Sequence, residues 1–485
     1  MITPRLQEAK ALARENSIVP VAMEMFSDVK TSIEILKNIR RNSDFWYILE
    51  SVSGGDNWGR YSFLGYDPAM TVSCEGGVLA VKNGISETVE DEDPIGYLKA
   101  LLARYRSPRI EGLPPFTGGL VGYFAYDFAQ HFIPGLKLRA ADAEGFKDFH
   151  LMLMDKVVAF DHFRQKIYLM VNVPAKDMDT GYIRAVTQLK DMQRMILDDL
   201  PSRESPSICG QFTASFTKEQ FEQMVLKVKH HITEGDIFQA VVSNRFTADF
   251  RGDLMQTYRV LRTTNPSPYM VYMRLDDMEI ACSSPETLVS LQGGEISSFP
   301  LAGTCSRGKT LREDEALAEA LLNDQKELAE HDMLVDLARN DVGKVSRFGS
   351  VQVRAYRQIK RFSHVSHIAS HVTGELREGL DAIDVIAATL PAGTLSGAPK
   401  KRACEIIDDV ESIKRGVYGG AIGYIDFAGN MDMCIGIRMA VLKDGRVSVQ
   451  SGAGIVAASV PEKEYRETQN KARAVIEALQ YAEEV

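Results

Sequence analysis

The sequence predicts an α+β protein, on three observations. From Met1 to about Leu200, short β-like runs alternate with Gly- and Pro-bearing turns. In the remainder, strong helical patterns stand between further β-like runs. The interleaving lacks a regular βαβ rhythm, which disfavours a doubly wound sheet. With 485 residues, 45% hydrophobic and 25% charged, the chain is long enough for more than one domain or one unusually large core.

Taken in order, FWYILESV, GRYSFLGY and KVVAFDHF read as strands, and LPPFTGGLVGYFAYD, around Pro114 and Gly118, reads as turn. PSRESPSICG, from Pro201 to Gly210, has the composition of an exposed linker. The domain boundary is placed there, giving an N-terminal α+β unit over 1–205 and a second unit over 206–485. After it, SFTKEQFEQMVLKVKHHITEGDIFQAVVSNRF reads as helix, turn and strand. DQKELAEHDMLVDLARNDVGKV and the closing VPEKEYRETQNKARAVIEAL read as helices, and YMVYMRL, AIGYIDF and RVSVQSG as strands.

Composition excludes several function classes. Lys and Arg total 56 against 66 Asp and Glu, a net charge of -10, and the basic residues are scattered, so nothing is built to hold a nucleic-acid backbone. An anionic substrate would need positive charge concentrated locally. The six cysteines include no CxxC pair, which argues for buried free thiols over a disulfide framework or a zinc site. The opening residues lack an apolar signal core and no apolar run approaches bilayer length, so the expectation is a soluble cytoplasmic protein without a membrane partner.

Two motifs invite misreading. GTCSRGKT, Gly303 to Thr310, satisfies the phosphate-loop pattern, yet Pro300 interrupts the segment where a central parallel strand should donate hydrogen bonds, and no magnesium-binding Asp follows a suitable strand. GAGIVA, Gly452 to Ala457, matches a dinucleotide fingerprint, but one long helix consumes the chain that a second βα unit would need. What remains there is a Gly-rich turn whose N–H groups can approach an anion.

Acidic helix faces carry the first chemical signal. Helical spacing puts Glu327, Glu330 and Leu334 along one side of one helix, and Glu464, Glu467 and Lys471 along one side of the last. Two such faces could converge on a hard cation, since magnesium is commonly held by one or two carboxylates plus substrate. The same spacing also describes two solvated acidic faces.

The segments PLAGT, KELAEHDMLVDLARND, PAGTLSGAPK, YGGAIGY, CIGIR, SGAGIV and EKEYRETQNKA resemble, in order, the signature blocks of the chorismate-utilising enzymes, and LESVSGGDNWGRYSFLG extends the likeness into the first half. The resemblance implies a large two-domain α+β sandwich of mostly antiparallel sheets. It implies Mg2+ between Glu330, Glu467 and the ring carboxylate of chorismate. Substrate contacts follow at Gly303, Thr304, Tyr418, Arg438, Lys471 and the backbone of Gly452, Ala453 and Gly454. Arg438 offers a planar fork for a carboxylate and Lys471 a point charge.

The implied reaction adds ammonia to the ring, expels the ring hydroxyl and eliminates pyruvate to leave anthranilate. Hydroxide leaves poorly, so an acid is required, and Glu286 matches the family's proposed acid. His367 matches a His implicated in pyruvate loss, with His364 a weaker candidate, and Thr394 orients the ring. Gln239 stands where water-using relatives carry a Lys base, and Ala302 where many aminodeoxychorismate-forming relatives carry a nucleophilic Lys, which leaves the latter group as the alternative. LESVS and PSPYM resemble the two segments of a tryptophan feedback site, with Ser51, Pro268, Tyr269 and Met270 as contacts. No Cys sits in a glutaminase-like context, so a separate glutamine amidotransferase subunit is the expected partner.

Overall fold

The computed structural model describes residues 2–51, 59–83, 85–90, 93–198, 206–361 and 365–484, with the backbone alone at 85–90. Two large antiparallel sheets dominate the described residues. The first orders Ile2–Thr3, Ile18–Phe26, Lys166–Pro174, Lys156–Asp161, Tyr61–Tyr66, Phe45–Glu50, Tyr269–Leu275, Met278–Ser284, Met439–Lys443, Arg446–Ile455, Gln239–Arg251 and Ser207–Ala214. The second runs from Leu301–Ser306 and Val365–Glu375 through Thr287–Gln292, Met431–Ile435, Ala421–Asp426, Gly119–Phe124 and Phe149–Met154 to Ile85–Glu90.

Both sheets mix the two halves of the sequence. Phe45–Glu50 pairs with Tyr269–Leu275, Glu50 opposite Met270, and Gly119–Phe124 pairs with Ala421–Asp426, Gly122 opposite Gly423. The boundary near residue 205 therefore divides the chain without dividing the sheets. The main core lies between the sheets and draws Tyr47 and Phe124 from one half together with Ile280 and Met433 from the other. A second core covers the outer face of the first sheet, where helices Ser32–Asn42, Met178–Leu197, Met255–Thr264 and Pro461–Tyr481 supply Leu36, Leu189, Leu261 and Val475.

Three sequence expectations change on folding. Gly119–Phe124, read as turn, is a fully buried central strand. Its glycines reflect close strand approach: a Cβ on Gly122 would lie 2.0 Å from the His150 carbonyl oxygen, and one on Gly423 2.0 Å from that of Asp432. The second part of the expected linker, 207–210, opens the edge strand Ser207–Ala214, which pairs with Gln239–Arg251. Gly452–Gly454, read as a turn, belongs to the strand Arg446–Ile455. Antiparallel pairing to Ser243, Val242 and Val241 engages that segment, and the pleat sends Ala453 to the side opposite its glycine neighbours.

All six cysteines are free, and no helix among the described residues is long and apolar enough to cross a membrane.

Candidate active site

A cavity of about 600 Å³ opens where the two sheets meet helices Gln325–Val345 and Pro461–Tyr481. Strand ends supply one wall, with Gln239 and Val241 beside Gly452 and Gly454. The loop after Met278–Ser284 brings Glu286, Leu301–Ser306 brings Gly303 and Thr304, and Val365–Glu375 brings His367. The short turn Gly393–Leu395 presents Thr394, and Tyr418 and Arg438 complete the floor. Of the predicted catalytic, substrate and metal residues that are described, Ala453 alone does not line the cavity. Its side chain packs with Val242 and Phe221 in a separate apolar cluster.

Two of these groups carry buried polar atoms that lack a hydrogen-bond partner among the described residues: Gln239 Oε1 and Thr394 Oγ1. Such groups are costly to leave unmet, and both sit in the wall of a cavity that a polar ligand could fill. The glycines keep that wall flat. A Cβ on Gly454 would lie 2.7 Å from Gln239 Nε2, and one on Gly452 2.9 Å from the Tyr418 hydroxyl.

Electrostatics distinguish the carboxyl groups. Burial pushes the Glu286 carboxyl up to about 7, with Arg438 and Lys471 pulling the other way, so a substantial fraction is protonated near neutral pH. Burial also pushes the Tyr418 phenol up and keeps it a donor. Arg438 adopts a left-handed backbone, φ 50°, and its exposed side chain stands at the edge of the cavity. Lys471 Nζ donates to the Gly452 carbonyl oxygen at 3.0 Å and pairs with Glu467 Oε1 at 2.7 Å.

His367 Nδ1 lies 2.8 Å from the Gly303 carbonyl oxygen and 3.1 Å from Thr304 Oγ1. A carbonyl can only accept, so the proton is assigned to Nδ1 and the lone pair to Nε2. Burial lowers the pKa of this ring and favours its neutral form. His364 lies outside the described residues.

The acidic helix faces do converge. Glu327, Glu330, Glu464 and Glu467 all line the cavity. Burial raises the Glu330 carboxyl first, and the neighbouring charges of Glu327 and Glu467 raise it further. Glu464 is raised by burial and by Glu467 as well. Mutually repelling oxygen donors beside a substrate-sized space fit a hard divalent cation. Among the described residues no preformed group of three or more metal-binding side chains occurs. Magnesium does not need one when substrate and water complete its shell.

A sequence profile of the chorismate binding enzyme family matches residues 50–477. The chain belongs to that family. Anthranilate synthase component 1 of Acetivibrio thermocellus is 44% identical, the alignment covering 100% of both chains. The enzyme of the same name from Aquifex aeolicus is 44% identical over 99% of this chain and 98% of its own. Among solved structures, anthranilate synthase component I from Streptococcus pneumoniae superposes with a TM-score of 0.77 at 37% identity, covering 88% of this chain and 94% of that one. The menaquinone-specific isochorismate synthase from Escherichia coli, 17% identical with a TM-score of 0.73 over 98% of this chain and 99% of its own, shares the fold.

In this member of the chorismate binding family, the phosphate-loop pattern has a different use. Gly308 N donates to Asp314 Oδ1 at 3.0 Å and Lys309 N to Glu313 Oε2 at 2.8 Å, so helix Leu311–Asn323 caps the loop with its own carboxylates where a phosphate would sit. The second predicted site is also brought together. Strand pairing sets Glu50 opposite Met270, which carries Ser51 toward Tyr269 and Pro268. Ser51 Oγ is buried and lacks a partner among the described residues, and Tyr269 Oη contacts Thr287 Oγ1 at 2.9 Å and Asp432 Oδ1 at 2.8 Å. None of the four lines the catalytic cavity. The rest of LESVS, residues 52–53, lies outside the described residues.

Sequence reasoning missed two features. Lys326 lines the cavity, and its spacing of one helical turn before Glu330 was a legible signal. Arg415, fully buried, donates to the Leu395 carbonyl oxygen at 2.6 Å and that of Val241 at 2.7 Å, while its Nε pairs with Glu411 at 2.8 Å. It braces two cavity walls from behind, and nothing in local sequence marks it.

Proposed function

We propose that the chain converts chorismate and ammonia to anthranilate and pyruvate. In this reading it is the large component of a magnesium-dependent, cytoplasmic anthranilate synthase, a lyase of tryptophan biosynthesis that receives ammonia from a separate glutamine amidotransferase subunit. One observation carries the proposal: a cavity in which a half-buried Glu286, its carboxyl raised by desolvation, faces Arg438 and Lys471, while Gln239 and Ala302 occupy the wall.

Arg438 and Lys471 bind the substrate's carboxylates by charge-assisted hydrogen bonds, and Tyr418 donates a further one. Thr394 Oγ1, lacking a protein partner among the described residues, satisfies itself on the ring substituents and fixes their orientation. Protonated Glu286 hands its proton to the departing ring hydroxyl, which leaves as water while ammonia forms the new C–N bond. Gln239 cannot take a proton from water, so ammonia remains the effective nucleophile. His367 Nε2 takes the proton released from the ring carbon as pyruvate leaves and the ring becomes aromatic. Glu330 and Glu467 would hold magnesium, which when bound would supply charge neutralisation for the substrate's ring carboxylate. With Ala302 in place of a nucleophilic Lys, no covalent amine adduct diverts the sequence. Tryptophan feeds back at Ser51, Pro268, Tyr269 and Met270, away from the cavity.

The test is fluorescence of the purified chain with chorismate, ammonium and magnesium, with products identified by mass. Anthranilate and pyruvate are expected, abolished by chelator and by Glu467→Ala. Accumulating aminodeoxychorismate would move the chain to the sibling activity, and glutamine turnover by the chain alone would remove the partner.

A further inference from the structure

A second concavity, of about 560 Å³, lies against the outer side of helix Pro461–Tyr481. Its lining includes Arg438, Lys463, Arg466, Lys471 and Asn470, with Glu467 as its one carboxylate. Four cationic side chains against one acid form a local positive field on a chain of net charge -10. Arg438, Glu467 and Lys471 also line the catalytic cavity, so the two spaces share a wall made of the groups that grip substrate. Among the described residues Lys463 makes no ion pair and Arg466 pairs only with the exposed Glu462, at 2.8 Å.

Resting on the reaction proposed above, we propose that this concavity is the vestibule for the dianionic substrate. Lys463 and Arg466 capture a carboxylate at the surface and deliver it to Arg438 and Lys471. A substrate of charge -2 approaching an acidic protein is otherwise repelled, and a funnel of like-signed charge beside the cavity reverses that locally. Lys463 and Arg466 lie outside the catalytic cavity, so they act on capture and leave the bond-making steps untouched.

The experiment compares the full chain with the Lys463→Gln/Arg466→Gln double variant, using chorismate, magnesium and a fixed ammonium concentration, across a potassium chloride series. At low salt the variant's kcat/KM for chorismate falls about tenfold, in line with the lower end of electrostatic steering. The gap closes toward ~0.5 M salt, where the screening length is only a few ångströms. kcat stays at the wild-type value, charge reversal to Glu at both positions deepens the loss, and Lys463→Arg/Arg466→Lys restores it. A variant with the wild-type kcat/KM and salt dependence overturns the vestibule, as does a loss of kcat with kcat/KM unmoved. Wild-type chain that makes no anthranilate fails the reaction beneath it, a distinct result.

Discussion

Glu286→Gln separates what the carboxyl does for the reaction from what it costs the fold. Glutamine keeps the shape and removes the transferable proton, so kcat should fall by about 10²–10⁴, the usual contribution of a positioned general acid. Stability should move the other way. Glu286 is raised in the folded chain from the ordinary 4.5 to about 7, chiefly by burial. A carboxyl whose folded value lies above its unfolded one favours the fold fully only below about 4.5, and that advantage is lost as pH rises through about 7. The difference corresponds to about 3 kcal/mol against the ligand-free protein above pH 8. Urea midpoints of wild type and variant at pH 5 and pH 8.5 measure it: the variant should gain stability relative to wild type at the higher pH. Equal differences at both pH values would show that Glu286 ionises normally and would refute its role as the protonated acid. For the same reason, wild-type turnover should decline on the alkaline side as Glu286 loses its proton.

Arg415→Met leaves the Glu411 carboxylate buried without its partner and should cost about 3–5 kcal/mol by urea unfolding, with Glu411→Gln/Arg415→Met recovering most of it. Gly452→Ala sets a Cβ 2.8 Å from the Val242 carbonyl oxygen and 2.9 Å from the Tyr418 hydroxyl. It should lose about 1–3 kcal/mol of stability and raise KM for chorismate as Tyr418 is displaced. Ser51→Phe should abolish tryptophan inhibition while leaving uninhibited turnover near wild type, read by titrating tryptophan against initial rate. Unchanged inhibition removes Ser51 from the feedback site.

Local patterning was enough to read the principal helices. The 3.6-residue periodicity of the segments after Asp324 and Val460 announced Gln325–Val345 and Pro461–Tyr481 closely, and with them the faces that carry Glu330 and Glu467. Strands rich in aromatic and β-branched residues, such as Phe45–Glu50 and Tyr269–Leu275, were equally legible. Gly119–Phe124 was not, because its glycines look like turn signals in sequence. They are there because the neighbouring strands leave no room for a side chain, a property of the partners.

By itself, then, the sequence determined the α+β class, the free thiols, the family through its ordered motifs, and many of the polar residues that surround the cavity. Tertiary structure decided the rest. It interleaved the halves into shared sheets, turned Ala453 away from its glycine neighbours, and pushed the Glu286 carboxyl up to about 7 by desolvation, against the opposing pull of Arg438 and Lys471. It also set Arg415 behind the walls of the site and opened a basic concavity beside it. The physical reason is range. Periodicity and turn chemistry act over a few residues and are written locally, whereas desolvation, charge coupling and strand register depend on residues hundreds of positions apart that meet only when the chain closes.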